Sequence, residues 1–375
     1  MASIRTKTRK DGVRFYEVRY REPNGRMRSK CFLKWAPAVQ FRTEIEATKL
    51  HGTYVDPTRG RMLFKEWIVR WQETTGNLRP STRARDASYV ASHLMPTFGE
   101  VRLADIDQLQ VRTWAARLSG SGLAPATTQK AYQIMAKITA AAVDAGLIAQ
   151  SPCRNIPLPR VERQEMRFLN PSQIAALADA IDPRYRALVL VAAYGGLRMG
   201  ELAGLRRHRV ELLRGEVDVA EIAVEVRGHV LFGQPKTRAG RRRVGLPRSV
   251  VRELTSHLAT HTSEAPDGFV FPNMVGGPIR ASGFRRQFFG PAVRAAGLSP
   301  LRPHDLRHTA VALWIAAGAD PKQVAVRAGH TSVAFTLDRY GHLYPEADER
   351  LRDRLEGMFA AAIPPVAAPV VALRP

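Results

Sequence analysis

The sequence predicts a multidomain protein: a small basic α+β domain, an all-α helical domain, and a mixed, mainly-α domain with a small β-sheet. Three observations predict it. The chain has 375 residues, more than the ~100–200 residues usual for one domain. Its 45% hydrophobic content suffices for packed cores. The hydrophobic pattern starts as alternation, becomes helical, and later mixes helical spacing with short strand-like runs.

Residues 1–60 are the basic α+β unit. The first 30 residues hold ten Lys/Arg against three Asp/Glu. VRFYEVRY alternates, Pro23-Asn24-Gly25 supplies a turn, and RMRSKCFLKW reads as the returning strand. From Ala36 to Leu50 the pattern is helical.

Residues 61–155 read as four helices with short loops. Met62, Phe64, Trp67, Ile68 and Trp71 form an apolar stripe at helical spacing. Ser81 and Thr82 are candidate N-caps of a helix that stops before Pro96 and Gly99. Asp105 and Asp107 precede a third helix, and Gly146 closes a fourth. Arg83 and Lys130, near helix starts, are candidate phosphate contacts. Residues 156–166 continue a stretch with Pro152, Pro157 and Pro159 and read as a linker. The last domain spans 167–357, opening with Asn170 as N-cap and Pro171 at the first helical position. A tail, 358–375, is broken by Pro364, Pro365 and Pro369 and is too interrupted to span a membrane.

Composition narrows the partner. The 57 Lys+Arg against 34 Asp+Glu give a formal charge of +23. Such an excess points to a polyanion, since neutralised phosphates release counterions and add affinity. Cys31 and Cys153 show neither a disulfide framework nor zinc spacing, consistent with a reducing compartment. The N-terminus MASIRTKTRKDG has no apolar run and is not a secretory signal.

The chemistry-bearing residues lie in the last domain. Attack on a phosphodiester builds charge on the non-bridging oxygens and leaves a poor alkoxide. A site must neutralise the first and protonate the second. Arginine pairs bidentately with phosphate and keeps its proton. Arg198, in GGLRMGEL, follows a turn at Gly195-Gly196, with Glu201 placed to orient it. HDLRH sets His304 and Arg307 at i and i+3 on one helix face, with His308 as a structural neighbour. His330 follows Gly329 at a helix end. Lys236 lies between two strand-like runs, as on a β-hairpin tip, and its ammonium can donate a proton. Arg238 nearby leaves the choice of acid open. Arg238, Arg241, Arg242 and Arg243 are candidate DNA-backbone contacts. Tyr340, in DRYGHLYP, offers a nucleophilic hydroxyl, with Tyr344 as rival. His304, His308, His330 and His342 lack a metal-binding spacing, so no metal is expected.

Arg198, Lys236, His304, Arg307, His330 and Tyr340, in that order and in these motifs, resemble the tyrosine recombinase (phage integrase) family. The resemblance covers residues 165–355 closely and the upstream domains more loosely. It implies a tyrosine recombinase fold, with residues 1–60 as an arm-type DNA-binding domain and 61–155 as a SAM-like core-binding domain. It further implies a 3′-phosphotyrosyl bond through Tyr340, Lys236 as general acid, a homotetramer on double-stranded DNA attachment sites, and exchange through a Holliday junction without a cofactor. A DNA-bending protein and a directionality factor are possible further partners, no membrane is involved, and the expected location is the cytoplasm, at the nucleoid. The basic N-terminal sheet favours an integrase of a phage or mobile element. The alternatives are a recombinase of the chromosome-dimer resolvase type and a regulator that binds without cleaving.

Overall fold

The computed structural model describes residues 2–22, 25–50, 59–162, 165–344 and 347–362. Pro23 and Asn24 of the expected turn, part of the first domain boundary, residues 163 and 164 of the linker, and the tail from 363 lie outside the described residues. The chain divides into two compact units, Met1–Arg163 and Gln164–Pro375.

The first unit opens with an antiparallel meander of β1 (Ser3–Thr8), β2 (Arg14–Arg21) and β3 (Met27–Phe32). Strand β1 was not expected, because SIRTKT carries one apolar residue and no alternation. Pairing with β2, whose Val18 and Tyr20 are buried, makes it a strand. Helix α1 (Trp35–Leu50) covers the sheet, with Phe41 and Ile45 against Tyr20 and Ala2.

A second core in this unit is helical: α2 (Phe64–Thr74), α3 (Pro80–Tyr89) continued by α4 (Met95–Phe98), α5 (Gln108–Gly120) and α6 (Pro125–Asp144). Phe64, Trp67, Ile68 and Trp71 are buried, as the stripe requires. The indole of Trp67 donates to the Ile138 carbonyl at 3.0 Å, satisfying a buried N–H at depth. Two expectations fail at α3. Arg79, not Ser81 or Thr82, occupies the N-cap, because Pro80 takes the first helical position, where its missing N–H costs nothing. The helix also runs through Pro96. A π turn at Val90–Leu94 widens the ladder so that the Met95 N–H reaches Val90, which accommodates the absent proline donor. Asp107 caps α5 through the Gln110 N–H at 2.7 Å.

The second unit begins with α7 (Pro171–Ala180), capped by Asn170 in a reciprocal box with Gln173. Buried α8 (Arg186–Gly195) packs against α7 and later helices, and short α9 (Met199–Ala203) follows. Strands β4 (Val210–Glu211), β5 (Glu216–Val219) and β8 (Arg242–Gly245) make one antiparallel sheet; β6 (Ile222–Val226) and β7 (His229–Gly233) form a separate hairpin inserted between β5 and β8. Helices α10 (Arg248–Thr260), α11 (Ala281–Phe284) and α12 (Gly290–Ala295) lead to α13 (Pro303–Ala316), α14 (Pro321–Ala328), α15 (Val333–Tyr340) and α16 (Ala347–Ala362). The main core joins α7–α10 to the three-stranded sheet, and a smaller one joins α13, α14 and α15 around Trp314 and Tyr340. Among the described residues no helix is long and apolar enough to cross a membrane.

Candidate active site

Three chain turns meet at the site, and glycine makes two of them possible. Gly196 ends α8 at φ 66°, and a Cβ there would lie 2.6 Å from the Trp314 ring. Gly329 ends α14 at φ 63°, and a Cβ there would lie 2.8 Å from the Ala239 carbonyl oxygen. The third turn is the Lys236–Arg241 connection, which this close approach holds against the end of α14.

Arg307 rises from α13 into the space between the two glycine turns. Its guanidinium donates to the Gly196 carbonyl at 2.5 Å and to the Ala328 carbonyl, and the residue is 3% exposed. Arg198, at the N-cap of α9, donates to the Gly329 carbonyl at 3.3 Å. The two guanidinium groups therefore grip adjacent carbonyls of one turn. Arg307 is pushed down to about 9, by burial first and then by the Arg198 charge. Such a pair of like charges favours an anion between them, and the Arg198 side chain, 40% exposed, is open to receive one.

Glu201 is the expected orienting carboxylate, and it does more than expected. It accepts from the Arg198 backbone N–H and from Nη1, each at 2.8 Å, so one side chain caps α9 and aims the guanidinium. It also accepts from Arg242 Nη1 and Nη2 at 3.1 and 3.0 Å. Burial pushes the Glu201 carboxyl up, but Arg242 and Arg198 outweigh it and hold it below the usual range.

Arg242 thus corrects one expectation. It is not a surface contact for DNA: it is buried, donates further to the carbonyls of Arg327 and Gly240, and ties β8 to α14. Arg242 opens strand β8 and faces inward, while its strand neighbour Arg243 is exposed, since alternate residues face opposite sides; Arg241, just before the strand, is exposed too. A second correction concerns Lys236. The strands on either side of it do not form a hairpin, since β7 pairs with β6 and β8 with β5. Lys236 and Arg238 sit exposed on the connection between two sheets.

The aromatic side of the site is a row of rings. His304, exposed at the start of α13, meets His308 edge-on with centroids 4.7 Å apart. His308 Nδ1 lies 2.6 Å from Tyr340 Oη. His330 lies parallel to the Tyr340 ring at 6.3 Å, with its Nδ1 held 2.8 Å from Thr336 Oγ1. His308, read from the sequence as a structural neighbour, is therefore the residue touching the phenol. Its signal was the i+4 step from His304, which puts both on one helix face. Burial pushes His308 and His330 each down to about 4; His304 and Arg339 add to it for His308, and Arg307 and Arg198 for His330. His304 is lowered likewise, by burial and then by Arg307 and Arg198. Burial raises Tyr340, which is 2% exposed, while Arg307, Arg339 and Arg198 draw it down. Tyr344 lies elsewhere, its hydroxyl donating to the Ala319 carbonyl at 3.4 Å.

Arg83, the expected contact in the first unit, is exposed on α3, while Lys130 is half-buried on α6. Burial and the Arg85 and Lys137 charges lower the Lys130 ammonium, against Asp86. Among the described residues no group of three His, Cys, Asp or Glu side chains is placed to hold a metal.

Comparison with known proteins identifies the family. Residues 167–347 match the phage integrase family model, and 63–119 match the model of the phage integrase N-terminal SAM-like domain. A putative prophage phiRv2 integrase of Mycobacterium tuberculosis is 30% identical over 293 residues, which cover 77% of this chain and 76% of that protein. Among solved structures, the Tn1549 transposon integrase in complex with transposon right end DNA superposes with a TM-score of 0.68 at 19% identity, over 79% of this chain and all of that one. A lambda integrase tetramer bound to a Holliday junction superposes with a TM-score of 0.55 at 16% identity, over 87% of this chain and 95% of that one. The fold is that of the tyrosine recombinases, and this chain belongs to the phage integrase family, whose enzymes cleave and rejoin DNA.

Proposed function

We propose that the chain integrates and excises a phage or other mobile element, with Tyr340 as nucleophile. The observation that carries this is the meeting of Arg198, Arg307, His330 and Tyr340, from four separate elements, around one cationic pocket with a buried carboxylate behind it. In this reading Arg198 and Arg307 grip the non-bridging oxygens of the scissile phosphate. His304 and His330 hydrogen-bond the same oxygens, and Thr336 leaves His330 its Nε2 for the purpose. Tyr340 Oη attacks phosphorus, a 3′-phosphotyrosyl bond forms, and the departing 5′-oxygen takes a proton from Lys236. Its bond energy is kept in the covalent intermediate, so the freed 5′-hydroxyl of a partner duplex can reverse the step.

The domain roles belong to the same proposal. Residues 1–60 bind separate arm sites, residues 61–155 contact the core site through Arg83 and Lys130, residues 156–166 link them to the catalytic domain at 167–357, and 358–375 is a tail. Arg238, Arg241 and Arg243 contact the DNA backbone. Four copies act together on two duplexes through a Holliday junction, in the cytoplasm at the nucleoid, with a DNA-bending protein and a directionality factor as accessory partners. The test is covalent capture on fragmented source DNA, comparing Tyr340→Phe with Tyr344→Phe. The proposal expects adducts at a discrete site that vanish only in Tyr340→Phe; adducts lost only in Tyr344→Phe would move the nucleophile.

A further inference from the structure

The proton of the Tyr340 phenol must go somewhere when its oxygen attacks phosphorus, and neither the arginines nor Lys236 takes it. A guanidinium has no lone pair to offer, and Lys236 gives a proton to the opposite side of the reaction. One nitrogen is in place. Tyr340 Oη lies 2.6 Å from His308 Nδ1, with both residues buried and the bond shielded from water. Resting on the reading of Tyr340 as nucleophile, we propose that His308 is the catalytic proton acceptor for that tyrosine.

The other histidines are less well placed. His330 presents its ring parallel to that of Tyr340, and Thr336 engages its Nδ1. His304 is separated from the phenol by His308 itself. His308 is also kept in the accepting state. The charged and titratable groups that set it are His304, Asp305 and Arg307 on its own helix and Arg339 on α15; burial, His304, Arg339 and Arg307 lower it, against Asp305. At neutral pH its ring is therefore neutral, and with Nδ1 as acceptor the phenol donates. A bound phosphate, growing more negative as the transition state forms, offsets the arginine charges that oppose an imidazolium there. His304, exposed and edge-on to His308, stands between the buried bond and solvent.

The step balances. The Tyr340 O–H bond breaks and an N–H bond forms at His308 Nδ1; the Tyr340 O–P bond forms and the P–O5′ bond breaks, with its electron pair protonated by the acid. In rejoining, the 5′-hydroxyl attacks and its proton returns to the acid group, while the tyrosine oxygen recovers its proton from His308.

The experiment uses the full chain and a core-site duplex identified by covalent capture, made with either oxygen or sulfur at the scissile 5′ position. A thiolate leaves without protonation, so the sulfur substrate isolates the nucleophile side. Single-turnover adduct formation is measured for the wild type, His308→Gln, His308→Ala, Lys236→Ala and Tyr340→Phe. Glutamine can hold the phenol by a hydrogen bond but cannot take its proton. His308→Gln should bind DNA normally and form adduct on the order of 100-fold more slowly on both substrates. Added imidazole should partly restore the rate of His308→Ala. The Lys236→Ala loss should disappear with sulfur. A His308→Gln rate equal to wild type would reduce His308 to a holding role, and a faster one would make it a latch on Tyr340; either overturns the proposal. If His308→Gln does not fold, His308→Asn is read in the same assay. Adduct persisting in Tyr340→Phe would sink the nucleophile assignment, whereas its loss there with an unchanged His308→Gln would sink only His308.

Discussion

Replacing Arg242 with alanine should destabilise the second unit rather than simply weaken DNA binding. Its guanidinium makes two contacts to Glu201, at 3.0 and 3.1 Å, one to Arg327 O at 2.6 Å and one to Gly240 O at 3.1 Å. Breaking a buried ion pair by deleting one partner costs ~3–5 kcal/mol, since a buried charge is left uncompensated. Glu201 keeps both bonds from Arg198, so the cost falls toward the lower end, about 3 kcal/mol. The pH dependence has a definite sign. In the wild type Glu201 is held low, so its contribution is present above the unfolded carboxylate pKa and is lost on acidification. Without Arg242 the burial that pushes Glu201 up dominates, and mild acid protonates it. The deficit of the variant should therefore shrink from neutral to mildly acidic buffer. Urea unfolding at both pH values measures this, with the protease susceptibility of the second unit as the readout and Arg243→Ala as control. That exposed variant should stay within ~0.5 kcal/mol of wild type while lowering the salt dependence of DNA binding. An Arg242→Ala protein with wild-type stability and only weaker DNA binding would refute the buried-pair argument.

Gly329→Ala should lower cleavage sharply without altering the nucleophile. An L-residue at φ 63° costs ~1–2 kcal/mol, and its Cβ, 2.8 Å from Ala239 O, pushes away the connection that carries Lys236; normal single-turnover cleavage by this variant would show that the approach is not needed. Two histidines of the site make stability fall in acid. His308 and His330 lie near 4 when folded against 6.5 as the ordinary value, so the unfolded chain binds more protons between those limits. Stability should decline as pH drops through that window, and His308→Gln should flatten the slope. Arg307→Ala, emptying a buried site between Gly196 and Ala328, should abolish adduct formation and lower stability together, measured on one preparation by covalent capture and urea titration.

Much of the fold was legible because it rests on local rules. Asn170 followed by Pro171, Asp107 before α5, and the Trp67–Trp71 stripe each satisfy a helix's own requirements, so sequence alone locates them. Strand β1 was not legible, since its only credential is a partner strand further along the chain, through the register Ser3 to Arg19 and Thr8 to Arg14. The π turn before Pro96 was hidden for a related reason: one extra residue in a helix leaves no compositional mark. In the site, the motifs located Arg198, Glu201, Arg307, His330 and Tyr340, and the chain brings them together. Arg242 was misjudged because three consecutive arginines look alike until a strand's alternation sends the middle one inward. His308 reads from the sequence only as a structural neighbour because its contact comes from Tyr340, thirty-two residues away.

The most direct test of the central claim is to identify the residue that carries DNA. Adduct is trapped on a core-site duplex, the DNA is trimmed with nuclease, and the protein is digested and analysed by mass spectrometry. The account predicts a nucleotide joined through phosphate to Tyr340, within the peptide that contains DRYGHLYP. A nucleotide on Tyr344, or on any residue outside the pocket formed by Arg198, Arg307 and His330, would contradict it.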